Sequence, residues 1–306
     1  MDILDNYIRH HIEKHSHLFS INYKIETFFA KCYDISAEPY LINLESILYN
    51  KRIDNLYIGS YRKDDHYYKL FTFIEKTELC SVSKESFNLL GEKLALFHNS
   101  FREDNENYSK QVVVYDYEYF SEITLMLNKI RQQNYISQEC YLHIKNAVKA
   151  IYNEIFFDSK KFQMVHGDFS LDNVLFQSND VNIIDFDMMG IGPKALDFAI
   201  YLNGTRDKTK IKLFLEGYLK YNKIHVSYEE LISALLLARL LCISINVQNI
   251  RKIPWVIPYI NETARFSEKY IIGKGEYYIK GTDDEIIQLL GGVSAVFEKY
   301  YNCRWS

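Results

Sequence analysis

Proline and glycine are both scarce, 4 and 12 in 306 residues. That leaves too few turn formers for a collagen-like chain, a linker-rich chain or an all-β protein of many hairpins. A basic excess is also missing. Lys and Arg total 36 against 40 Asp and Glu, a formal charge of −4, whereas a nucleic-acid binder normally presents a clear positive surplus. No nucleic-acid partner is expected. Cys32, Cys80, Cys140, Cys242 and Cys303 stand far apart in the chain, so neither a zinc ribbon nor a redox pair is spelled. Scattered single thiols suit a reducing cytosol. The N-terminal residues carry Asp2 and Asp5 and no apolar run, which excludes a secretory signal. The expected location is cytoplasmic. The longest apolar run, Leu231 to Val247, is short for a membrane span and has Arg239 at its middle, a costly charge in lipid. It predicts a buried helix, and no membrane partner is expected. Arg239 then needs a protein carboxylate or an anionic ligand group beside it.

What is present is the balance of an ordinary folded chain, 48% hydrophobic and 25% charged, long enough for about two domains. Residues 4 to 15 read as an amphipathic helix. Lys24 to Tyr33, Leu56 to Tyr61 and Tyr67 to Ile74 are rich in β-branched and aromatic residues and predict strands. Between the first two, Leu41, Leu44 and Leu48 give a helical stripe over Pro39 to Arg52. From Ser83 the period changes: Ser83 is placed to cap a helix running to His98, and Tyr117 to Asn134 and Gln138 to Phe157 predict two more. Two short apolar strands flank a polar turn between residues 162 and 187. Beyond Gly192 the pattern is mostly helical, apart from a turn segment near Gly273 to Gly281. The expectation is an α+β, bilobal molecule. A small sheet-rich N-terminal lobe spans 1–78 and a larger, mainly helical C-terminal lobe spans 79–306, joined near Ile74 to Cys80.

The chemistry is concentrated in Gln163 to Asp187, QMVHGDFSLDNVLFQSNDVNIIDFD. Asp168, Asn173 and Asp185 are the polar residues between strand-like fragments, and their spacing is that of a phosphoryl-transfer site of the protein-kinase superfamily. Moving a γ-phosphoryl group to a hydroxyl needs a carboxylate aimed at the acceptor proton, a role for Asp168. It also needs hard oxygen ligands for magnesium on the phosphates, roles for Asn173 and Asp185. Gly167 permits a tight turn, and His166 can hydrogen-bond backbone behind the metal site.

HGDFSLDN, IIDFD and GPKALDFA together closely resemble the aminoglycoside phosphotransferase family, which includes choline, homoserine and methylthioribose kinases. The resemblance implies a protein-kinase-like fold, Mg2+, and ATP or GTP as co-substrate. The implied reaction is phosphoryl transfer to a hydroxyl of a small molecule, an aminoglycoside-type antibiotic or a small metabolite. It implies Asp168 as catalytic base, Asn173 and Asp185 as magnesium ligands, and His166 and Asp197 as supports of the catalytic loop. Asp187 stands where a protein kinase has glycine and is expected to be structural.

In the N-terminal lobe, Lys31 in FFAKCY is expected to hold the α/β-phosphates, paired with Glu45 on the following helix, ahead of Glu38. Backbone groups from Phe73 to Glu75 are expected to meet the purine edge, which makes Phe73 and Glu75 the hinge candidates. Gly59 is the only glycine before Gly91, so no glycine-rich loop exists. Ser16, His17 and Ser20 lie where the family's serine-containing loop falls. His10, His11, His15 and His17 read as exposed helix residues, and Tyr115, Tyr117 and Tyr119 as packing residues. Asp283, Asp284 and Glu285 read as charges at a helix start. The acceptor is expected on the side walled by helices after Asp197, near Tyr201, Asn203, Arg206, Asp207 and Arg239. The missing glycine loop motivates an alternative, a catalytically weak kinase-fold binding or scaffold protein. The intact Asp168, Asn173 and Asp185 argue against it.

Overall fold

The computed structural model of the chain describes residues 22–25, 28–53, 56–75, 77–102, 108–156, 162–177, 180–205, 207–222, 226, 228–247 and 250–272. The expected helix at 4 to 15, its histidines, Ser16, Ser20, Arg206, the turn at Gly273 to Gly281 and the acids Asp283 to Glu285 lie outside the described residues. The chain forms two compact units, Met1–Lys76 and Thr77–Ser306.

In the first unit, β1 (Asn22–Ile25), β2 (Phe28–Asp34), β3 (Tyr57–Lys63) and β4 (His66–Thr72) make an antiparallel sheet in the order β1-β2-β4-β3. The run Lys24 to Tyr33, expected as one strand, is two: Ile25 pairs with Phe28 across the shortest antiparallel connection. The helix α1 (Glu38–Lys51) starts with Pro39 in its first turn, where the missing N–H costs nothing, and ends where Arg52 turns left-handed at φ 54°. Its stripe of Leu41, Leu44, Ile47 and Leu48 is buried, as the 3.6-residue period requires.

The second unit holds α2 (Lys84–Ser100), β5 (Val113–Val114), α3 (Tyr117–Gln132), α4 (Gln138–Ala150), β6 (Phe162–Val165), β7 (Val174–Phe176), β8 (Val181–Ile183) and β9 (Gly190–Pro193). Four further helices follow: α5 (Leu196–Gly204), α6 (Lys208–Leu219), α7 (Tyr228–Asn246) and α8 (Val256–Ile272). Ser83, Asp116 and Ser137 cap α2, α3 and α4, each side chain accepting a backbone N–H three residues on. Helix α4 stops at Ala150 instead of Phe157, and a π-type turn covers Tyr152–Phe156. The strands of this unit are short: β5-β9-β6 form one small sheet, and β7-β8 a hairpin. Helix α2 lies against α6, α5 against α7, and α8 against α4 and α7. Among the described residues no helix is long and apolar enough to cross a membrane.

Candidate active site

Strand β6 delivers His166, Gly167 and Asp168 at its C-terminal end. Gly167 has φ +78°, and a Cβ there would stand 2.1 Å from the Met188 carbonyl oxygen. Only glycine fits both the left-handed backbone and that contact. Asp168 is half-buried, and the next residue, Phe169, is fully buried against the rings of Tyr201 (6.0 Å) and Phe214 (5.9 Å). The apolar anchor thus fixes the backbone that carries the acid. Asn173, at the end of a one-turn helix after Ser170, donates its Nδ2 to Asp168 twice, to the backbone oxygen and to carboxylate Oδ2, both at 2.8 Å. An amide that spends its N–H group in this way leaves its oxygen as the atom offered to a cation.

The hairpin strand β8 leads into Ile184 and Asp185. Asp185 has φ +64°, a left-handed conformation that aspartate tolerates better than most side chains. It too is followed by a buried ring, Phe186, 4.8 Å from the His166 ring and 5.7 Å from Phe97. His166 joins the two acids. Its Nδ1 accepts from the Asp168 backbone N–H (3.3 Å), so its Nε2 carries the proton and donates to the Ile184 carbonyl (2.9 Å). The Ile184 N–H donates to the Asn173 carbonyl at 3.0 Å. Asp168, Asn173 and the turn bearing Asp185 therefore form one hydrogen-bonded unit.

Asp197, in the first turn of α5, is completely buried. Its Oδ2 accepts the His166 backbone N–H (2.8 Å) and its Oδ1 that of Gly167 (3.0 Å). Oδ2 also meets His98 Nε2 at 2.9 Å. The other ring nitrogen of His98 meets the Tyr218 hydroxyl at 2.8 Å, and Asn222 Nδ2 donates to that hydroxyl at 2.9 Å. Burial first, and the Asp197 charge second, push the Tyr218 phenol well above its ordinary value, so it stays protonated and donates to His98 Nδ1. The two ring nitrogens of His98 thus link Asp197 to Tyr218. Sequence reading passed over His98 and Tyr218. The available signal was position: His98 falls on the buried stripe of α2 with Leu90, Leu94 and Phe97, where a polar side chain needs a buried partner. Tyr115 is a packing residue, as expected, but its hydroxyl also donates to the Met188 carbonyl, the same group that crowds Gly167.

In the first unit, Lys31 on β2 is half-buried, its Nζ 5.5 Å from the Tyr33 ring centroid. Glu45 on α1 accepts the hydroxyls of Tyr57 and Tyr67, both at 2.8 Å, and forms an ion pair with Lys69 of β4 at 3.8 Å. Sequence reading named Lys31 and overlooked Lys69, although YYKLFTFI surrounds its lysine with apolar residues just as FFAKCY does. Glu38 pairs with Arg62 at 3.6 Å. Phe73 is half-buried and Glu75 exposed, in the extended stretch after β4.

On the far side of the catalytic loop, α7 carries Arg239 and Cys242, one turn apart. Burial raises the Cys242 thiol, against the lowering by a hydrogen bond with Tyr259 and by the Arg239 charge, and the Asp168 carboxylate adds a smaller rise. Arg239 is 2% exposed. Its guanidinium pairs with Glu262 (3.5 Å), bonds Thr263 (3.1 Å) and covers the Tyr259 ring at 4.6 Å. Of the two partners open to it on sequence grounds, the structure supplies the protein carboxylate. Among the described residues no three His, Cys, Asp or Glu side chains gather as a metal cage. The donor set here is a different one, a carboxylate and an amide oxygen. It fits magnesium, which keeps waters and phosphate oxygens and takes one or two protein ligands.

No curated protein sequence matches the chain. Solved structures match it as folds. A spectinomycin phosphotransferase in complex with ADP and spectinomycin has TM-score 0.61 and 14% identity, over 82% of this chain and 89% of that one. A microcompartment-associated aminopropanol kinase has TM-score 0.60 and 13% identity, over 90% and 99%. A choline kinase from Cryptosporidium parvum has TM-score 0.59 and 12% identity, over 90% and 97%. These neighbours share the bilobal α+β protein-kinase-like architecture. The model of the phosphotransferase enzyme family matches residues 54–231, more than half of the 306, and with the motifs from His166 to Asp197 inside that span the chain belongs to this family.

Proposed function

We propose that the chain transfers the γ-phosphoryl group of ATP or GTP to a hydroxyl of a small molecule, in the cytoplasm. The observation that carries this reading is the hydrogen-bonded unit of Asp168, Asn173 and the Asp185 turn. With Oδ2 tied to Asn173, the Asp168 carboxylate is held in one orientation, and it accepts the hydrogen bond of the acceptor hydroxyl. The new oxygen–phosphorus bond forms as the bond from the γ-phosphorus to the β–γ bridging oxygen breaks. The acceptor proton passes to Asp168, and the nucleoside diphosphate leaves. Asn173 and Asp185 would hold Mg2+, which when bound neutralises charge on the phosphate oxygens. No covalent intermediate is needed, since positioning and charge neutralisation supply most of the rate for this chemistry.

Asp197 and His166 keep the loop in this arrangement by their bonds to backbone. Lys31 and Glu45 serve the α/β-phosphates, and the backbone at Phe73 to Glu75 the purine. The acceptor is a small metabolite or an aminoglycoside-type antibiotic, placed against the helices that follow Asp197. Thermal unfolding of the wild-type protein with MgATP and MgGTP in turn, followed by nucleotide consumption over a panel of amino alcohols, sugars and aminocyclitols, tests the reading. A nucleotide at 100 times Kd stabilises by about 2.7 kcal/mol, and one acceptor class is consumed with it. No stabilisation by either nucleotide, and no turnover, would contradict the proposal.

A further inference from the structure

The turn that presents Asp185 carries a left-handed residue at φ +64°, and sparsely populated backbone of this kind persists only where its surroundings hold it. Its near end is held at Ile184, whose carbonyl accepts the His166 ring N–H at 2.9 Å and whose N–H donates to the Asn173 carbonyl at 3.0 Å. Its far end is held at Met188, three residues beyond the acid, whose carbonyl accepts the Tyr115 hydroxyl. Tyr115 follows β5 directly and is completely buried. Its own N–H donates to the Ile191 carbonyl of β9 at 2.7 Å, which fixes the backbone from which the ring reaches.

Three glycines make room for this one side chain. A Cβ on Gly167 would stand 2.7 Å from the hydroxyl oxygen, and one on Gly190 2.8 Å from ring carbon Cε2. A Cβ on Gly192 would stand 3.1 Å from the Cβ of Tyr115. Gly190 and Gly192 share a face of β9, as alternate residues of a strand do. Gly167 is the residue before Asp168. The same hydroxyl oxygen thus stands against the catalytic turn at Gly167 and bonds the Asp185 turn at Met188. Filling the space takes only a ring, which phenylalanine would supply. The hydroxyl adds a bond between the two turns that carry the acids.

We infer that Tyr115 is a positioning residue for the metal site: its hydroxyl holds the far end of the Asp185 turn to the catalytic loop, keeping Asp185 in the conformation that serves as a ligand. The inference rests on the magnesium reading proposed above and extends it to a residue outside the ligand set. Groups that orient a metal ligand from behind typically change metal affinity by about 10-fold or more when removed.

The test is calorimetric binding of ADP, or of GDP, to the wild-type protein and to Tyr115→Phe, each with Mg2+ and with EDTA. Phenylalanine keeps the ring against the three glycines and removes the bond. The gain in affinity that Mg2+ confers is expected to shrink by about 10-fold, while affinity in EDTA stays at the wild-type value. A folded Tyr115→Phe that keeps the whole Mg2+ gain overturns the inference. So does one weakened equally in Mg2+ and in EDTA, for then the hydroxyl serves the fold alone. If Tyr115→Phe does not fold, fluorotyrosine placed at position 115 alone keeps the hydroxyl and reports by fluorine NMR. Its signal must move with the Mg2+ complex of the nucleotide and stay still with the nucleotide in EDTA; a signal that behaves alike in both overturns the inference. A wild-type affinity indifferent to Mg2+ removes the magnesium reading itself, whereas a Mg2+-dependent wild type with no Tyr115 effect removes only the tyrosine.

Discussion

Asp197 meets three donors with two carboxylate oxygens, and all of them lie in a site without water access. A charged acceptor suits that task because each bond is charge-assisted. Asp197→Asn keeps the size but replaces one oxygen with an NH2 group that faces a donor. The expected loss is about 2–4 kcal/mol, which for a unit of this size lowers Tm by about 5–15 °C. Calorimetry checks it, and an unchanged Tm would mean that the three bonds are worth nothing to the fold. His98→Ala removes the third donor and leaves Tyr218 without its acceptor, so its loss is of the same order. These two residues were not equally legible. Asp197 was named because LDFA follows the catalytic motif at a recognisable distance. His98 lies 99 residues away in the chain, and only the folded contact connects them.

At the level of elements, α2 and α6 approach so closely that glycine is required twice. A Cβ on Gly91 would lie 1.8 Å from the Phe214 backbone oxygen, and one on Gly217 would lie 1.8 Å from that of Asn88. The same two helices carry His98 and Tyr218, so their spacing sets the bond between those side chains. Gly91→Ala or Gly217→Ala must push the helices apart. Either is expected to cost about 3 kcal/mol or more, at the upper end for overpacking, and to weaken turnover through the loop that His98 supports. Denaturant unfolding gives the first quantity, and a stability equal to wild type would contradict the close approach. Helix positions were legible where periodicity and caps agreed, as at Ser83 and over Leu41 to Leu48. The glycines read only as weak points in a helix, since sequence gives no sign of what passes alongside. The strands β5 and β9 escaped for another reason: two residues, or Gly-Ile-Gly-Pro, hold too little pattern to register, and their pairing comes from tertiary neighbours.

For the whole molecule, ionisation sets an alkaline limit. Burial pushes the Cys140 thiol from 9.0 to about 11 and lifts the Tyr201 and Tyr218 phenols above their ordinary 10.0. The folded chain then keeps protons that the unfolded chain has released, so stability is whole below pH 9 and falls as pH rises from there. Cys140 alone accounts for about 2–3 kcal/mol between pH 9 and pH 11. Cys140→Ala should flatten that part of the curve, and a curve of unaltered slope would contradict the assignment. The bilobal plan and the catalytic motif were both readable, because a kinase-like site is spelled by local spacing. The ion pair of Glu45 with Lys69 was not, because register across a sheet decides which lysine reaches the helix. The central claim is that Asp168 takes the acceptor proton, and Asp168→Asn tests it most directly. The amide still accepts the Asn173 hydrogen bond but cannot accept a proton at neutral pH. Turnover with an acceptor found for the wild type should fall by about 10²–10⁴ while nucleotide affinity and Tm stay as they were. A folded Asp168→Asn enzyme that turns over at the wild-type rate would contradict the account.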